Sequence, residues 1–227
     1  MRSYDEYCAI AKSLDLIGDR WTLLIVRELS LRAPCRYTDL RNGLPGIATN
    51  LLASRLRDLE RAGVVMREDA PPPIATTVFR LTPRGADLQP ILDGLIRWGL
   101  PLMFEQHPQD AIRSHWMLRA LELMLCDRDP AGPPVSIELD TGDQPIVINA
   151  REGRLSTRIG RAEQPTVTVT GPMKPTLALI LGFASTDTAA KEGLAIKGET
   201  DVLQRFALNP HALGATPPPT PADQAPT

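Results

Sequence analysis

Polar side chains recur at helical spacing in one stretch of the chain, TNLLASRLRDLER. At about 100° per residue its leucines share one face, and these are Leu52, Leu56 and Leu59. Asn50 and Arg57 fall on the opposite face. Asparagine can form two hydrogen bonds with adenine, and arginine can do the same with guanine. The pattern therefore predicts a helix that buries its leucines and offers its other face to base edges in the major groove of DNA.

Eight residues in and near this helix are candidate DNA contacts, and they divide into two roles. Those assigned to base recognition are Thr49, Asn50, Ser54 and Arg57. Those assigned to backbone phosphates are Arg55, Arg61, Arg67 and Arg80. Arg55 lies near the buried edge of the helix, so an internal ion pair is the alternative for its side chain. The alternative for the whole face is a solvated surface, which is the commoner fate of polar residues on an amphipathic helix.

The elements around this helix follow the order of a winged helix-turn-helix domain. Apolar spacing predicts helices over about residues 7–17 and 21–31, and Thr38 suits the N-cap of a short third helix. Gly63 ends the fourth helix. The segments Val64–Arg67 and Thr77–Leu81 are typical of the two strands of a wing, and APPPIA forms a stiff exposed tip with no basic residue.

A last helix of this region is predicted from Pro83 to about Leu100, because proline suits the first helical position. One side of it is apolar, with Leu88, Ile91, Leu92, Leu95 and Trp98. Charge is distributed unevenly along the chain. Residues 20–67 hold nine arginines and four acidic residues, whereas residues 106–227 hold eleven basic and fourteen acidic residues. The local excess of positive charge indicates an anion-binding surface in the first half of the chain.

Three motifs carry a family resemblance: GDRWTLLIVREL, YTDLRNGLPGIATNLLASRLRDLERAGVV and FRLTPRGADL. Together they resemble the HxlR family of transcriptional regulators over residues 7 to about 104. The resemblance implies a homodimer that binds a pseudo-palindromic operator in double-stranded DNA, usually as a repressor. It also implies that the first and last helices of the domain form the dimer contact. We expect this domain to span residues 1–105.

The second half of the chain predicts a different fold. Residues 115–125 have the spacing of an amphipathic helix, and four strands follow at 135–139, 145–150, 154–159 and 166–170. We then predict helices at 176–182 and 186–193, a strand at 194–198 and a helix at 201–208. The Pro-rich tail, residues 211–227, is expected to be disordered. The fold class is therefore α+β, with a winged helix-turn-helix domain and a second domain over residues 110–210.

The order of these elements and the ending GLAIKGETDVLQRF resemble the sterol carrier protein type two fold. That resemblance implies a curved sheet and apolar helices that enclose a tunnel for an apolar molecule. The candidate lining residues are Leu177, Ile180, Leu181, Phe183, Ile196 and Phe206. The alternative for each is a place in a dry core. The second domain would then bind an apolar effector that modulates DNA binding, only reinforce dimerisation, or serve as a lipid carrier.

Three cysteines at wide spacing indicate neither a metal site nor a disulfide framework. Some members of the resembled family keep a redox-sensing thiol at the position of Cys8, which makes Cys8 a redox candidate. The alternative is a small buried apolar side chain, and Asp5 and Glu6 are expected to raise the pKa of the thiol. We expect no catalytic, metal or cofactor site, because His107, His115 and His211 are unpaired in spacing and no phosphate-binding loop occurs. Without a signal peptide or an apolar run of about 18 residues, the protein is expected to be cytoplasmic and to have no membrane partner.

Overall fold

The computed structural model describes residues 3–71, 75–104, 109–209 and 212. The chain divides into two compact units, residues 1–94 and 95–227. The helices of the first unit are α1 (Ala9–Ile17), α2 (Thr22–Arg32), α3 (Tyr37–Asn42), α4 (Thr49–Arg61) and α5 (Pro83–Ala86). A further helix, α6 (Gln89–Gly99), runs through the boundary. The strands are β1 (Cys35–Arg36), β2 (Val65–Asp69) and β3 (Thr77–Leu81), which form an antiparallel sheet in the order β1-β3-β2.

The core of the first unit lies between α2, α3, α4 and the small sheet. Leu52, Leu56 and Leu59 are each at most 2% exposed, which confirms the predicted inner face of α4. They pack with a larger buried set, which includes Ile25, Leu29, Leu40, Leu44, Val65 and Phe79. Trp21 packs against this cluster from its margin. The leucine spacing therefore sets which side of α4 faces outward.

Two details of the first unit differ from the prediction. Thr38 is not an N-cap: Arg36 takes that position, and its backbone N–H donates to the carboxylate of Asp39 at 2.9 Å, so α3 begins at Tyr37. The last helix is also interrupted, since α5 ends at Ala86 and α6 begins at Gln89. Pro90 has no N–H to donate to the carbonyl of Ala86, so a continuous helix would lose that hydrogen bond.

The second unit is built on a five-stranded mixed sheet in the order β7-β6-β5-β8-β9. Its strands are β5 (Val135–Asp140), β6 (Ile146–Arg151), β7 (Arg154–Ile159), β8 (Val167–Thr170) and β9 (Ala195–Gly198). Only β5 and β8 are parallel among these neighbours. The helices are α7 (Met117–Met124), α8 (Met173–Ile180) and α9 (Thr186–Lys191). The predicted strands and the last strand are confirmed to within one or two residues.

A second, two-stranded sheet pairs β4 (Leu125–Asp127) with β10 (Phe206–Leu208). The predicted helix over 201–208 is therefore wrong: residues Thr200–Arg205 form a 3-10 helix, and the chain then extends to pair with β4. Arg205 donates to both carboxylate oxygens of Asp127, at 2.6 and 2.7 Å. These hydrogen bonds hold the pKa of Asp127 below its ordinary value. The buried ion pair between Arg205 and Asp127 thus stabilises the two-stranded sheet.

The two faces of the main sheet differ in character. Val135, Ile137 and Leu139 alternate with polar residues along β5, and all three are buried. On the opposite face Glu138 is only 4% exposed. Its carboxylate accepts from Arg161 at 2.7 Å and from the backbone N–H of Ala162 at 2.8 Å. This acid therefore anchors the connection that runs from β7 to β8.

The outer edge of the sheet, at β7, is covered by a side chain from α7. The carboxylate of Glu122 accepts the backbone N–H of Thr157 at 2.8 Å and its hydroxyl at 3.0 Å. No helix within the described ranges has the length and apolar character that a membrane crossing requires. The tail predicted to be disordered, residues 211–227, lies outside the described residues apart from Ala212.

Candidate nucleic-acid interface

The candidate interface is the outward face of α4, which the first unit holds in place from both ends. At its start, the hydroxyl of Tyr37 donates to the carbonyl oxygen of Thr49 at 2.7 Å. Ala48 occupies the N-cap position and supplies no side-chain cap, so of the first three amides of α4 only that of Leu51 has a described side-chain acceptor, the oxygen of Asn50. Such open N–H groups, with the helix dipole behind them, favour a phosphate. At its end, Gly63 adopts a left-handed conformation with φ of 67° that turns the chain into β2.

The residues predicted to read bases lie largely in solvent. Thr49, Asn50 and Arg57 are exposed, and Ser54 is half-buried. The side-chain oxygen of Asn50 accepts from the backbone N–H of Leu51 at 2.9 Å, which leaves its amide NH₂ facing outward as a donor. Arg57 makes no ion pair or hydrogen bond to any described residue. The outward face of α4 therefore offers an amide and, about two turns further along, a guanidinium without a partner among the described residues.

Arg55 is placed differently from Arg57. Its guanidinium pairs with Asp19 at 3.2 Å and with Asp58 at 3.1 Å, and its side chain is only 23% exposed. This is the internal ion pair that the sequence left open as the alternative to a phosphate contact. Asp19 lies between α1 and α2, so the pair ties the middle of α4 to the connection between those two helices. The side chain of Arg55 therefore helps to position α4 in the folded chain.

The three other arginines predicted to contact phosphate also have acidic partners. Arg61 pairs with Asp58, Arg67 with Glu60 at 3.9 Å, and Arg80 with Glu68. The side chains of Arg61, Arg67 and Arg80 are 77%, 67% and 44% exposed, so each remains reachable from solvent. Most of the wing tip, residues 72–74, lies outside the described residues. The described part of the interface is therefore a polar helix face flanked by neutralised arginines.

A buried acid that the sequence analysis missed supports the turn before α4. Glu28 is 1% exposed, and its carboxylate accepts from Arg27 at 2.8 Å. It lies against Gly43, where a Cβ atom would meet its Oε2 at 2.1 Å. Burial lowers the pKa of Arg27, whereas the charge of Glu28 raises it. The signal for this residue is a glutamate in TLLIVREL at a position that helical spacing turns inward.

The candidate lining residues of the second unit are not equally enclosed. Ile180, Leu181 and Phe206 are buried, and Leu177 and Ile196 are half-buried. Phe183, three residues beyond the end of α8, is 58% exposed. The described residues include no group of three or more His, Cys, Asp or Glu side chains placed to hold a metal ion.

Cys8 is exposed at the N-cap position of α1. The backbone N–H groups of Ala11 and Ile10 lower the pKa of its thiol from the ordinary value of 9.0. The expected rise of this pKa is therefore wrong, because the backbone amides at the start of the helix lower it. Cys35, by contrast, is buried, and burial raises the pKa of its thiol to about 11.

Comparison with known proteins also assigns a helix-turn-helix to the first half of the chain. A family model described as HxlR-like helix-turn-helix matches residues 16–107. The HTH-type transcriptional regulator sll1512 of Synechocystis sp. is 35% identical over 92 residues, which cover 40% of this chain and 67% of that protein. YvaP of Bacillus subtilis, another HTH-type regulator, is 34% identical over 87 residues, which cover 38% of this chain and 80% of YvaP.

A third relative, YodB of Bacillus subtilis, is also an HTH-type transcriptional regulator. It is 30% identical over 86 residues, which cover 38% of this chain and 76% of YodB. These matches agree with the buried leucines and outward polar face of α4. The chain therefore belongs to the HxlR family of DNA-binding, helix-turn-helix transcriptional regulators.

Proposed function

We propose that the chain is a dimeric repressor that recognises a double-stranded operator through α4. The observation that carries the proposal is the outward face of that helix, where Asn50 and Arg57 are exposed and the guanidinium of Arg57 is unpaired among the described residues. We assign base recognition to Thr49, Asn50, Ser54 and Arg57. Arg61, Arg67 and Arg80 are the phosphate candidates, and each would have to exchange a carboxylate for a phosphate oxygen to make that contact.

Homodimerisation is supported by apolar side chains left in solvent on two helices. On α1, Ile10 is 71% exposed and Leu14 is 42% exposed. On α6, Ile91, Leu95 and Trp98 share one face at helical spacing and are 45%, 45% and 73% exposed. Apolar faces of this kind mark interaction surfaces. We assign both helices to the contact with a second copy, which the family resemblance implies for the first and last helices of the domain.

For the second unit we propose a sterol-carrier-like domain over residues 110–210 that binds an apolar effector and modulates operator affinity. The element order supports this: a strand meander, then a parallel strand, two helices and a last antiparallel strand. The buried apolar wall includes Ile180, Leu181 and Phe206. Native mass spectrometry of the purified chain tests for a retained apolar molecule. A chain that carries none, and whose operator affinity does not respond to added lipid, would leave the domain a dimer-supporting role.

The DNA-binding proposal is tested with Arg57→Ala against duplexes selected by the unsubstituted protein from random-sequence DNA. Loss of a base-reading arginine should weaken binding to the selected duplex by about 1–3 kcal/mol, or roughly tenfold to a hundredfold. Arg154→Ala is the control, since Arg154 is an exposed arginine of the second unit. Unchanged affinity of Arg57→Ala for every selected duplex would disprove the proposed readout.

A further inference from the structure

The acidic side chains beside α4 are arranged around the arginines that flank it. Each arginine assigned to phosphate has a carboxylate partner within 4 Å, and two of these arginines share the same acid. That acid is Asp58, whose Oδ2 lies 3.1 Å from Arg55 and whose Oδ1 pairs with Arg61. Both of its oxygens are therefore occupied by arginines three residues away along the helix, one on each side.

The position of Asp58 gives it influence over DNA binding. It follows Arg57 directly in the sequence, and its side chain is 17% exposed, so it lies at the margin of the outward face. An arginine and the carboxylate that it pairs with have almost no net charge together, so the pair attracts DNA phosphates only weakly. A phosphate that displaced the carboxylate from Arg61 would also leave Asp58, then paired with Arg55 alone, near the negatively charged backbone. Both effects act against binding that depends only on phosphate contacts.

We propose that Asp58 is a residue that lowers sequence-independent DNA affinity by holding Arg61 in an ion pair. This inference rests on the proposed function of α4. With Arg61 restrained, phosphate affinity from the end of α4 stays low, and binding depends on the base contacts made by Asn50 and Arg57. Phosphate contacts carry no sequence information, so this ion pair sets the sequence-independent part of the affinity for every duplex, the operator included.

The test compares Asp58→Asn with the unsubstituted chain on a random-sequence 30-base-pair duplex and on a selected duplex, over a range of salt concentrations. Asp58→Asn should bind the random duplex roughly two- to fivefold more tightly, which is the factor expected for release of an exposed ion pair. The slope of log affinity against log salt should become more negative by about 0.9, because one further phosphate is neutralised. Affinity for the selected duplex should rise by a similar factor, because Arg61 is a phosphate candidate in that complex too.

Two controls isolate the ion pair from a general change in charge. Asp87→Asn removes the same charge from an exposed residue between α5 and α6 and should leave both affinities unchanged. Arg61→Ala alone should bind the random duplex within twofold of the unsubstituted chain. In the double variant Asp58→Asn with Arg61→Ala, the gain in non-specific affinity should disappear, since the released side chain is absent. Thermal melting confirms that each variant folds.

The outcomes separate this inference from the proposed function. If Arg57→Ala weakens selected-duplex binding while Asp58→Asn leaves the random duplex and its salt slope unchanged, the inference about Asp58 is wrong and the readout by α4 stands. A gain that persists in the double variant also overturns it. If Arg57→Ala has no effect on any selected duplex, the proposed function itself fails.

Discussion

The hydroxyl of Tyr37 lies 2.7 Å from the carbonyl oxygen of Thr49, so the first residue of α3 is hydrogen-bonded to the first residue of α4. This bond joins the two helices of the helix-turn-helix segment across the turn between them. It helps to position the start of α4. Removal of this hydrogen bond should therefore lower the affinity for DNA more than it lowers the free energy of unfolding.

Tyr37→Phe deletes the hydroxyl and keeps the ring. The free energy of unfolding should fall by about 0.5–1.5 kcal/mol, the usual contribution of one hydrogen bond. Affinity for a selected duplex should fall several-fold, because the amides and Asn50 at the start of α4 lose their fixed position. Urea unfolding and fluorescence anisotropy measure the two effects. Tyr4→Phe, at an exposed tyrosine, is the control and should change neither.

Gly85 marks a close approach between α5 and the strand that begins the wing. A Cβ atom there would lie 2.1 Å from the carbonyl oxygen of Val64, an atom that also accepts the backbone N–H of Thr82 at 3.0 Å. Gly85→Ala should destabilise the chain by about 1–3 kcal/mol, because backbone must move to make room. Gly94→Ala, where nothing lies within 4 Å, should leave the stability equal or slightly higher. Chemical denaturation of both variants tests the difference.

The ion pair between Asp127 and Arg205 predicts a pH dependence for the second unit. The pKa of Asp127 is lowered in the folded chain by hydrogen bonds from Arg205, below the ordinary value of 3.8. The pair therefore stabilises the fold fully above that value, and the stabilisation is lost as pH falls through the lower folded pKa. Asp127→Asn should cost about 3 kcal/mol at pH 7, since it leaves a buried arginine unpaired.

Denaturation followed by near-ultraviolet circular dichroism at pH 7 and at lower pH checks this. The difference in stability between the two chains should shrink as the medium is acidified, because protonation disrupts the same pair in the unsubstituted protein. A difference that stays constant down to pH 2 would show that the charge of Asp127 contributes nothing. Asp201→Asn, a change of the same type in an exposed residue, is the control.

The thiols of Cys8 and Cys35 should differ in reactivity. Backbone amides lower the pKa of exposed Cys8, whereas burial raises the pKa of Cys35 to about 11. At pH 7 the thiolate fraction is therefore larger for Cys8, and iodoacetamide should label it first. Peptide mass spectrometry over time measures the order. Equal labelling of both residues in the folded chain would contradict the assignment, and a denatured sample provides the reference rates.

The sequence predicted those features of α4 that depend on spacing alone. Leucines at helical intervals identified its inner face, and the exposed positions of Asn50 and Arg57 followed from the same periodicity. The strand meander of the second unit was also predictable, because alternating apolar residues and glycine turns are local signals. In both places, the local preference and the tertiary environment favour the same structure.

The predictions were wrong or incomplete where the structure of a segment depends on residues that are distant in the sequence. Phe206 adopts an extended conformation because its segment pairs with β4, almost eighty positions earlier in the chain, and no local pattern near residue 206 reports that partner. The acidic partners of Arg61, Arg67 and Arg80 were missed for a related reason. Helical spacing shows which side of a helix is exposed to solvent. It does not show that Glu60 or Glu68 lies close enough to pair with a given guanidinium.

The hydrogen bond from Thr157 to Glu122 has a consequence for the behaviour of the chain at high concentration. An unpaired N–H on an outer strand is a template on which a strand from another molecule can add, and repeated addition leads to fibres. In this protein the carboxylate of Glu122 already occupies that donor. Strand addition at β7 must first displace a side chain of the same molecule, so self-association is directed away from this edge and toward the apolar helices.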